Sequence, residues 1–163
     1  MSKLSASLIE EYFAIHLPYR TRILLAHYRM TRVPWHGDRA QLEAAFEASL
    51  ITGRMYLNVV GVSKNRQDVL VPSRPQADDV SAVDLGGTSV DIGVLAPDDV
   101  ALLTGFLRMA DKGAAHLTMP MPHPIDQTHI AVTRICELVK AHLYDATGRI
   151  FEVAITRTNP AGA

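Results

Sequence analysis

His116 stands in Lys112-Gly113-Ala114-Ala115-His116-Leu117-Thr118, at the foot of a helix pattern that opens at Pro97-Asp98-Asp99. A proline-broken run follows at once, Met119-Pro120-Met121-Pro122-His123-Pro124. An imidazole is the side chain whose proton changes hands near neutral pH. Held where a helix meets a loop, beside Thr118, His116 is a candidate general acid or base. Arg20 and His27 form a second candidate pair. In Arg20-Thr21-Arg22-Ile23-Leu24-Leu25-Ala26-His27 they lie two helical turns apart, on one face. A solvated basic helix face accounts for the same residues structurally. Other chemistry is poorly supplied. His116, His123, His129 and Cys136 offer ligand atoms but no tight ligand pair, so no metal is expected. Cys136 falls inside an apolar helix pattern and reads as a packed thiol. No Gly-x-Ser-x-Gly nucleophile motif occurs, and no cofactor is implied.

Arg20, Thr21 and His27 resemble the motif of HEPN ribonucleases, an arginine and a polar residue followed a few positions on by a histidine. The resemblance implies metal-independent RNA cleavage. The histidine would move a proton to or from the ribose 2′-hydroxyl while the arginine holds the scissile phosphate. A broader pattern joins Phe46-Glu47-Ala48-Ser49-Leu50-Ile51-Thr52-Gly53-Arg54-Met55-Tyr56-Leu57-Asn58, an Asp-rich loop, and Ala114-Ala115-His116-Leu117-Thr118. Over about residues 40–144 it is similar to a group of uncharacterised bacterial HEPN-like helical proteins. That likeness implies that Arg54 and His116 meet inside a bundle, with Arg108 and Lys112 as anion contacts. The family's usual Arg-Asn pair stands here as Arg54-Met55.

Val83-Asp84-Leu85-Gly86-Gly87-Thr88-Ser89-Val90-Asp91-Ile92-Gly93 resembles the phosphate-binding hairpin of the sugar-kinase and actin superfamily. There an acidic residue, a Gly-Gly turn and a threonine approach a nucleotide phosphate. Glycines let the backbone come close, and its N–H groups hold the anion. This likeness implies a phosphate- or nucleotide-binding protein using the Gly86-Gly87 turn. A tight hairpin turn with no ligand is the structural alternative.

These residues must be positioned by helices. Ser7-Leu8-Ile9-Glu10 fits a capping box, with Ile9, Tyr12, Phe13 and His16 following at helical spacing. Pro18 should stop that helix and start a second, running to Met30. Asp38 suits the N-cap of the longest helix. Leu42, Ala45, Phe46, Ser49, Leu50, Gly53, Leu57 and Val60 form its apolar stripe, and Gly61 ends it. Lys64-Asn65-Arg66-Gln67-Asp68 reads as a polar loop. Residues 80–94 alternate like a hairpin around Gly86-Gly87, or form an irregular packed loop. A fourth helix starts at Pro97, and a fifth runs from Asp126 to about Tyr144, ended by Gly148. Phe151-Glu152-Val153-Ala154-Ile155-Thr156 reads as a late strand pairing with residues 88–94. The expected fold is mainly α, a five-helix bundle (HEPN-like) with a small β-hairpin or two-strand accessory. It occupies residues 1–158 as a single domain with a loose tail at 159–163.

The 163 residues are 48% hydrophobic and 20% charged, enough for one core. Net charge is −1, so no global field draws in nucleic acid or anionic lipid. The lone Cys136 excludes an intrachain disulfide. The start of the chain shows no secretory pattern and no stretch reads as a membrane span, which gives a cytoplasmic expectation. The first reading is a small helical binding or assembly module, acting as a homo-oligomer or on a protein partner, with RNA as a further ligand class. The alternative is a ribonuclease using Arg20 and His27, or His116 with Arg54 or Arg108.

Overall fold

Ser5 opens the first helix by accepting the Leu8 N–H on its hydroxyl at 3.3 Å, so α1 spans Ala6–Glu11. The cap is Ser5 rather than the expected Ser7. The computed structural model describes residues 4–113 and 125–152. Pro18 was expected to stop this helix, and it does not. A proline has no N–H to give to the carbonyl four residues back. The chain widens instead into a π turn over Tyr12–His16, where the Leu17 N–H reaches the Tyr12 carbonyl five residues back. The proline is absorbed, and α2, Leu17–Leu24, continues the rod. Leu25, at φ −90° and ψ −2°, then loosens the helix before α3, Ala26–Met30.

Asp38 accepts the Ala40 N–H at 2.9 Å and starts α4, Arg39–Val59, as the sequence indicates. Its buried stripe includes Phe46, Leu50, Tyr56 and Leu57, and it packs against α2, α3, α5 and α6. The last two helices are α5, Pro97–Gly113, and α6, Ile125–Val139. A second π turn, Lys140–Tyr144, extends α6 to Gly148, whose φ of +69° ends it. With α1 and α2 as one rod, the described residues hold five helical rods, and the fold is mainly helical. No helix among them is long and apolar enough to cross a membrane.

The two-stranded accessory lies elsewhere than residues 80–94. β1, Val62–Lys64, pairs antiparallel with β2, Leu70–Pro72, with Ser63 opposite Val71. The expected polar loop is the hairpin's turn. Asn65 organises it by accepting the Gln67 and Val69 N–H groups, and Asp68 takes φ +57°. Residues 80–94 form turns and a short 3-10 segment, Ile92–Val94. A helix leaves its last carbonyls unpaired. Here the Ala82 N–H donates to the Val59 carbonyl and the Val90 N–H to the Val60 carbonyl, both at 2.8 Å. The alternating segment therefore closes the end of α4 instead of pairing with itself. Phe151 and Glu152 belong to no strand, and residues 153–163, with the rest of the late strand and the tail, lie outside the described residues.

Close helix packing relies on Gly53 of α4. A Cβ there would lie 2.4 Å from Phe106 Cζ and 3.2 Å from Leu24 Cδ1. Alanine normally gains about 1 kcal/mol over glycine inside a helix. In this position overpacking should outweigh that gain, and Gly53→Ala should cost about 1–3 kcal/mol in urea unfolding. Adding Phe106→Leu should recover part of the loss.

Candidate functional site

Tyr12, His16, Leu17 and Arg20 follow one another along one side of the α1–α2 rod. Ile51, Arg54, Met55, Asn58 and Val59 recur at three and four residues along α4, on the flank beside its core stripe. The two rows face each other across an open cleft of about 1280 Å³. Its third wall is the extended chain after β2, held out by Pro72 and Pro75 and carrying Arg74, Asp78 and Asp79. Leu17 and Leu85 are buried at its floor, with Met55, Val59 and Val80 half-buried beside them. Arg20 and Arg54, picked from distant parts of the chain, thus line one cavity.

Their electrostatics differ. Arg54 Nη1 lies 2.9 Å from Asp111 Oδ1, and the other oxygen of Asp111 lies 2.8 Å from Lys64 Nζ. Lys64 also meets Asp68 at 2.9 Å, and Asp68 meets Arg108 at 2.9 Å. Lys64 is the centre of this chain, with a side chain only 13% exposed. Its hydrogen bond to Asp111 raises the ammonium's pKa, and its bond to Asp68 holds that carboxyl below the usual range. The chain of charges ties the hairpin to α4 and α5. Arg108, expected as an anion contact, and Arg54, expected to meet His116, are both committed to carboxylates. Arg20 and Arg74 are exposed and have no carboxylate partner among the described residues.

His27 is not in the cleft. It is buried on the other side of α3, its ring edge against Phe46 at 4.9 Å between centroids. Its Nδ1 lies 3.1 Å from His129 Nε2. One proton fills that gap. Arg20 and His27 therefore share no open groove, because the loosened turn at Leu25 breaks the regular twist on which their spacing relied. His116, His123 and the expected Arg54–His116 meeting lie outside the described residues, as does the Lys112 side chain.

Burial lowers the pKa of both imidazoles, and each gains a second, smaller push from a cation: His129 acting on His27, and Arg32 on His129. Asp126 opposes the latter in part. The unfolded chain then binds protons at a pH where the fold does not. Stability should fall as pH drops below about 6.5 and keep falling until the folded imidazoles themselves protonate. The slope is at most about 1.4 kcal/mol per pH unit for each histidine. Urea midpoints measured between about pH 7.5 and pH 5 check this, and His129→Gln should flatten the slope. A level profile over that window would contradict it.

At the Gly86-Gly87 turn three successive backbone N–H groups are bonded within the chain. Gly86 N–H donates to Val83, Gly87 N–H to Ala82 and Thr88 N–H to the His142 carbonyl, at 3.1, 2.8 and 2.9 Å. Thr88 Oγ1 lies 3.0 Å from His142 Nδ1, and the Asp84 carboxylate accepts from Ser81. Cys136 is buried, which pushes its thiol up to about 12, as a packed cysteine requires. Tyr12 and Asn58 stood in helix patterns with no site role given to them, and Arg74 was not singled out. The signal for Asn58 was its three- and four-residue spacing from Arg54 and Met55. Arg74 gave none, since an extended segment declares no partner.

Against known protein families, curated proteins and solved structures, the chain shows no match.

Proposed function

We propose that this protein is a binding or assembly module whose α2–α4 cleft holds an anionic, partly apolar ligand. The observation that carries this is Arg20 and Arg74, without carboxylate partners among the described residues, standing over a floor of Leu17, Met55 and Val59. Unpaired guanidinium groups are available for carboxylate, sulfonate or phosphate oxygens. Ile15, Tyr19 and Ile51, each more than half exposed, add apolar surface suited to a partner or a second copy. The finer label, a HEPN-like fold, belongs to the same proposal. It draws support from the order of elements: α4 with Arg54, an acidic loop, then α5.

Anilinonaphthalene sulfonate, an apolar ring system with one anionic group, is a direct probe. The folded protein should bind it saturably at neutral pH. The double variant Arg20→Ala, Arg74→Ala should bind it about tenfold more weakly, a change of about 1.4 kcal/mol, with an unchanged circular dichroism spectrum. Equal affinity in both proteins would sink the proposal.

The placement of Arg20 and Arg54 in one cleft keeps a second reading alive, a metal-independent ribonuclease with His116 as its proton carrier. Incubation with RNA in chelator, alongside His116→Ala, tests it. Cleavage that is unchanged in the variant removes it.

A further inference from the structure

Residues 26–38 link the α1–α2 rod to the start of α4, and one side chain anchors them. His27 is the buried residue of α3, at 5% exposure. Ala26, Tyr28 and Met30 are half-buried, and every residue from Thr31 to Asp38 is exposed. A stretch that buries so little apolar surface opens more readily than the core does. Leu25, at φ −90° and ψ −2°, already departs from the helix at its start and can serve as a hinge. The anchor is also titratable. His27 Nδ1 lies 3.1 Å from His129 Nε2 of α6. One proton between the two nitrogens makes a hydrogen bond. A proton on each sets two donors and two positive charges face to face, with no acceptor between them. The surroundings give little relief. From α4 comes the ring of Phe46, edge-on to His27. From α3 comes the ring of Tyr28, edge-on to His129 at 5.3 Å between centroids. Arg32, lying over that Tyr28 ring, works against a charge on His129. Asp126 of α6 favours the charge, but it is exposed.

We infer that α3 and the loop after it form a strap that the His27–His129 pair latches at neutral pH and releases in mild acid, turning about Leu25 and baring the rings of Phe46 and His129. Release carries both imidazoles into water. Burial in the closed strap works against the charged form of each, so the open strap binds protons more tightly. Acid therefore favours the open form. Below about pH 6.5 the balance shifts by up to about tenfold per pH unit for each imidazole that gains a proton on release. The core of α4 and α5 is held differently. Leu50, Leu57, Leu103 and Phe106 are buried and cannot titrate, so these helices stay packed while the strap opens.

Hydrogen exchange of the full chain, followed by mass spectrometry at about pH 7.5 and about pH 5.5 and corrected for the intrinsic pH dependence of exchange, tests this. The Arg29 and Thr31 N–H groups donate to the Leu25 and His27 carbonyls. On acidification these strap amides should lose at least about tenfold in protection. Amides of α5 around Leu103 and Phe106 should remain at least about tenfold better protected than those of the strap. His27→Leu with His129→Gln replaces the latch by groups that cannot become cations, and the acid loss should shrink to less than about threefold. His129→Gln alone changes a half-buried side chain and should give an intermediate loss. Circular dichroism at both pH values shows that each variant is folded. Equal strap protection at the two pH values overturns the inference. So does a loss that brings strap and α5 amides to the same level, which is global unfolding, or a loss as large in His129→Gln as in the unaltered chain.

Discussion

Gly87→Val lowers stability by about 3 kcal/mol or more, near the top of what overpacking costs. In a chain of this length that is a fall in Tm of about 6–12 °C. A Cβ at Gly87 would lie 2.2 Å from the carbonyl oxygen of His142 and 3.2 Å from that of Ala82. Both obstacles are backbone, so no side chain can swing aside. The same His142 carbonyl accepts the Thr88 N–H, and Gly87 N–H is bonded to Ala82. Moving either strand of chain would break the contact that seats the loop on the end of α6. Gly86 behaves differently. Its φ is +83°, and a Cβ there meets only Thr147 Cγ2 at 3.8 Å. Gly86 is needed for its backbone angle, Gly87 for its lack of volume. Gly86→Asn, a residue that tolerates the left-handed region, should therefore cost about 1 kcal/mol or less. Thermal unfolding of the two variants side by side checks this. Equal losses would contradict the packing account, and Gly87→Val should be destabilised with or without nucleotide.

Local signals in the sequence were reliable where one residue acts on its own helix. Asp38 caps α4, Pro97 opens α5 with Asp98 and Asp99 behind it, and Gly148 ends the α6 extension. The stripe from Phe46 to Leu57 is the core because a 3.6-residue period leaves it one face to bury. What failed depended on partners distant in the chain. Residues 80–94 read equally as a hairpin or an irregular packed loop, and the loop is what forms, with the Ala82 and Val90 N–H groups serving the Val59 and Val60 carbonyls at the end of α4. Nothing in those fifteen residues announces that a helix end needs them. Pro18 is a breaker by rule, but a π turn is a second way to accommodate a missing N–H.

The candidate site divides the same way. Arg20 and Arg54 were legible as residue types with anion chemistry, and each does line the cleft. That they line the same one follows from how α2 packs on α4, which no spacing encodes. His27 was assigned by spacing to Arg20's face, and the altered turn at Leu25 carries it into the core beside His129. The pairing of Arg108 with Asp68 rests on the hairpin whose strands were not foreseen, and that of Arg54 with Asp111 on how α4 packs against α5.

Tyr56→Ala costs about 3–5 kcal/mol, as the loss of a large buried side chain does. Tyr56→Phe separates the hydroxyl from the ring. The phenol is fully buried and donates to the Leu17 carbonyl at 2.6 Å, with Thr21 Oγ1 at 2.8 Å. Burial raises its pKa well above the usual tyrosine value, so it stays a donor. Thr21 Oγ1 also reaches Leu17 O at 2.9 Å and can keep that carbonyl satisfied when the phenol is gone. The loss in Tyr56→Phe should therefore be about 1–2 kcal/mol, and urea unfolding measures it. The hydroxyl has a second consequence. It ties α4 to the stretch of the α1–α2 rod that carries Leu17 and Arg20, and so sets the width of the cleft between Arg20 and Arg54. Tyr56→Phe should weaken anilinonaphthalene sulfonate binding under conditions where the variant is still folded. Leu143→Ala is the control, because Leu143 is fully buried at the end of α6 and does not line the cleft. It should destabilise more than Tyr56→Phe, by about 2–5 kcal/mol, yet leave dye affinity unchanged. If both variants lose affinity in proportion to stability, the dye is reporting loosened packing, and Tyr56 has no separate part in holding the cleft.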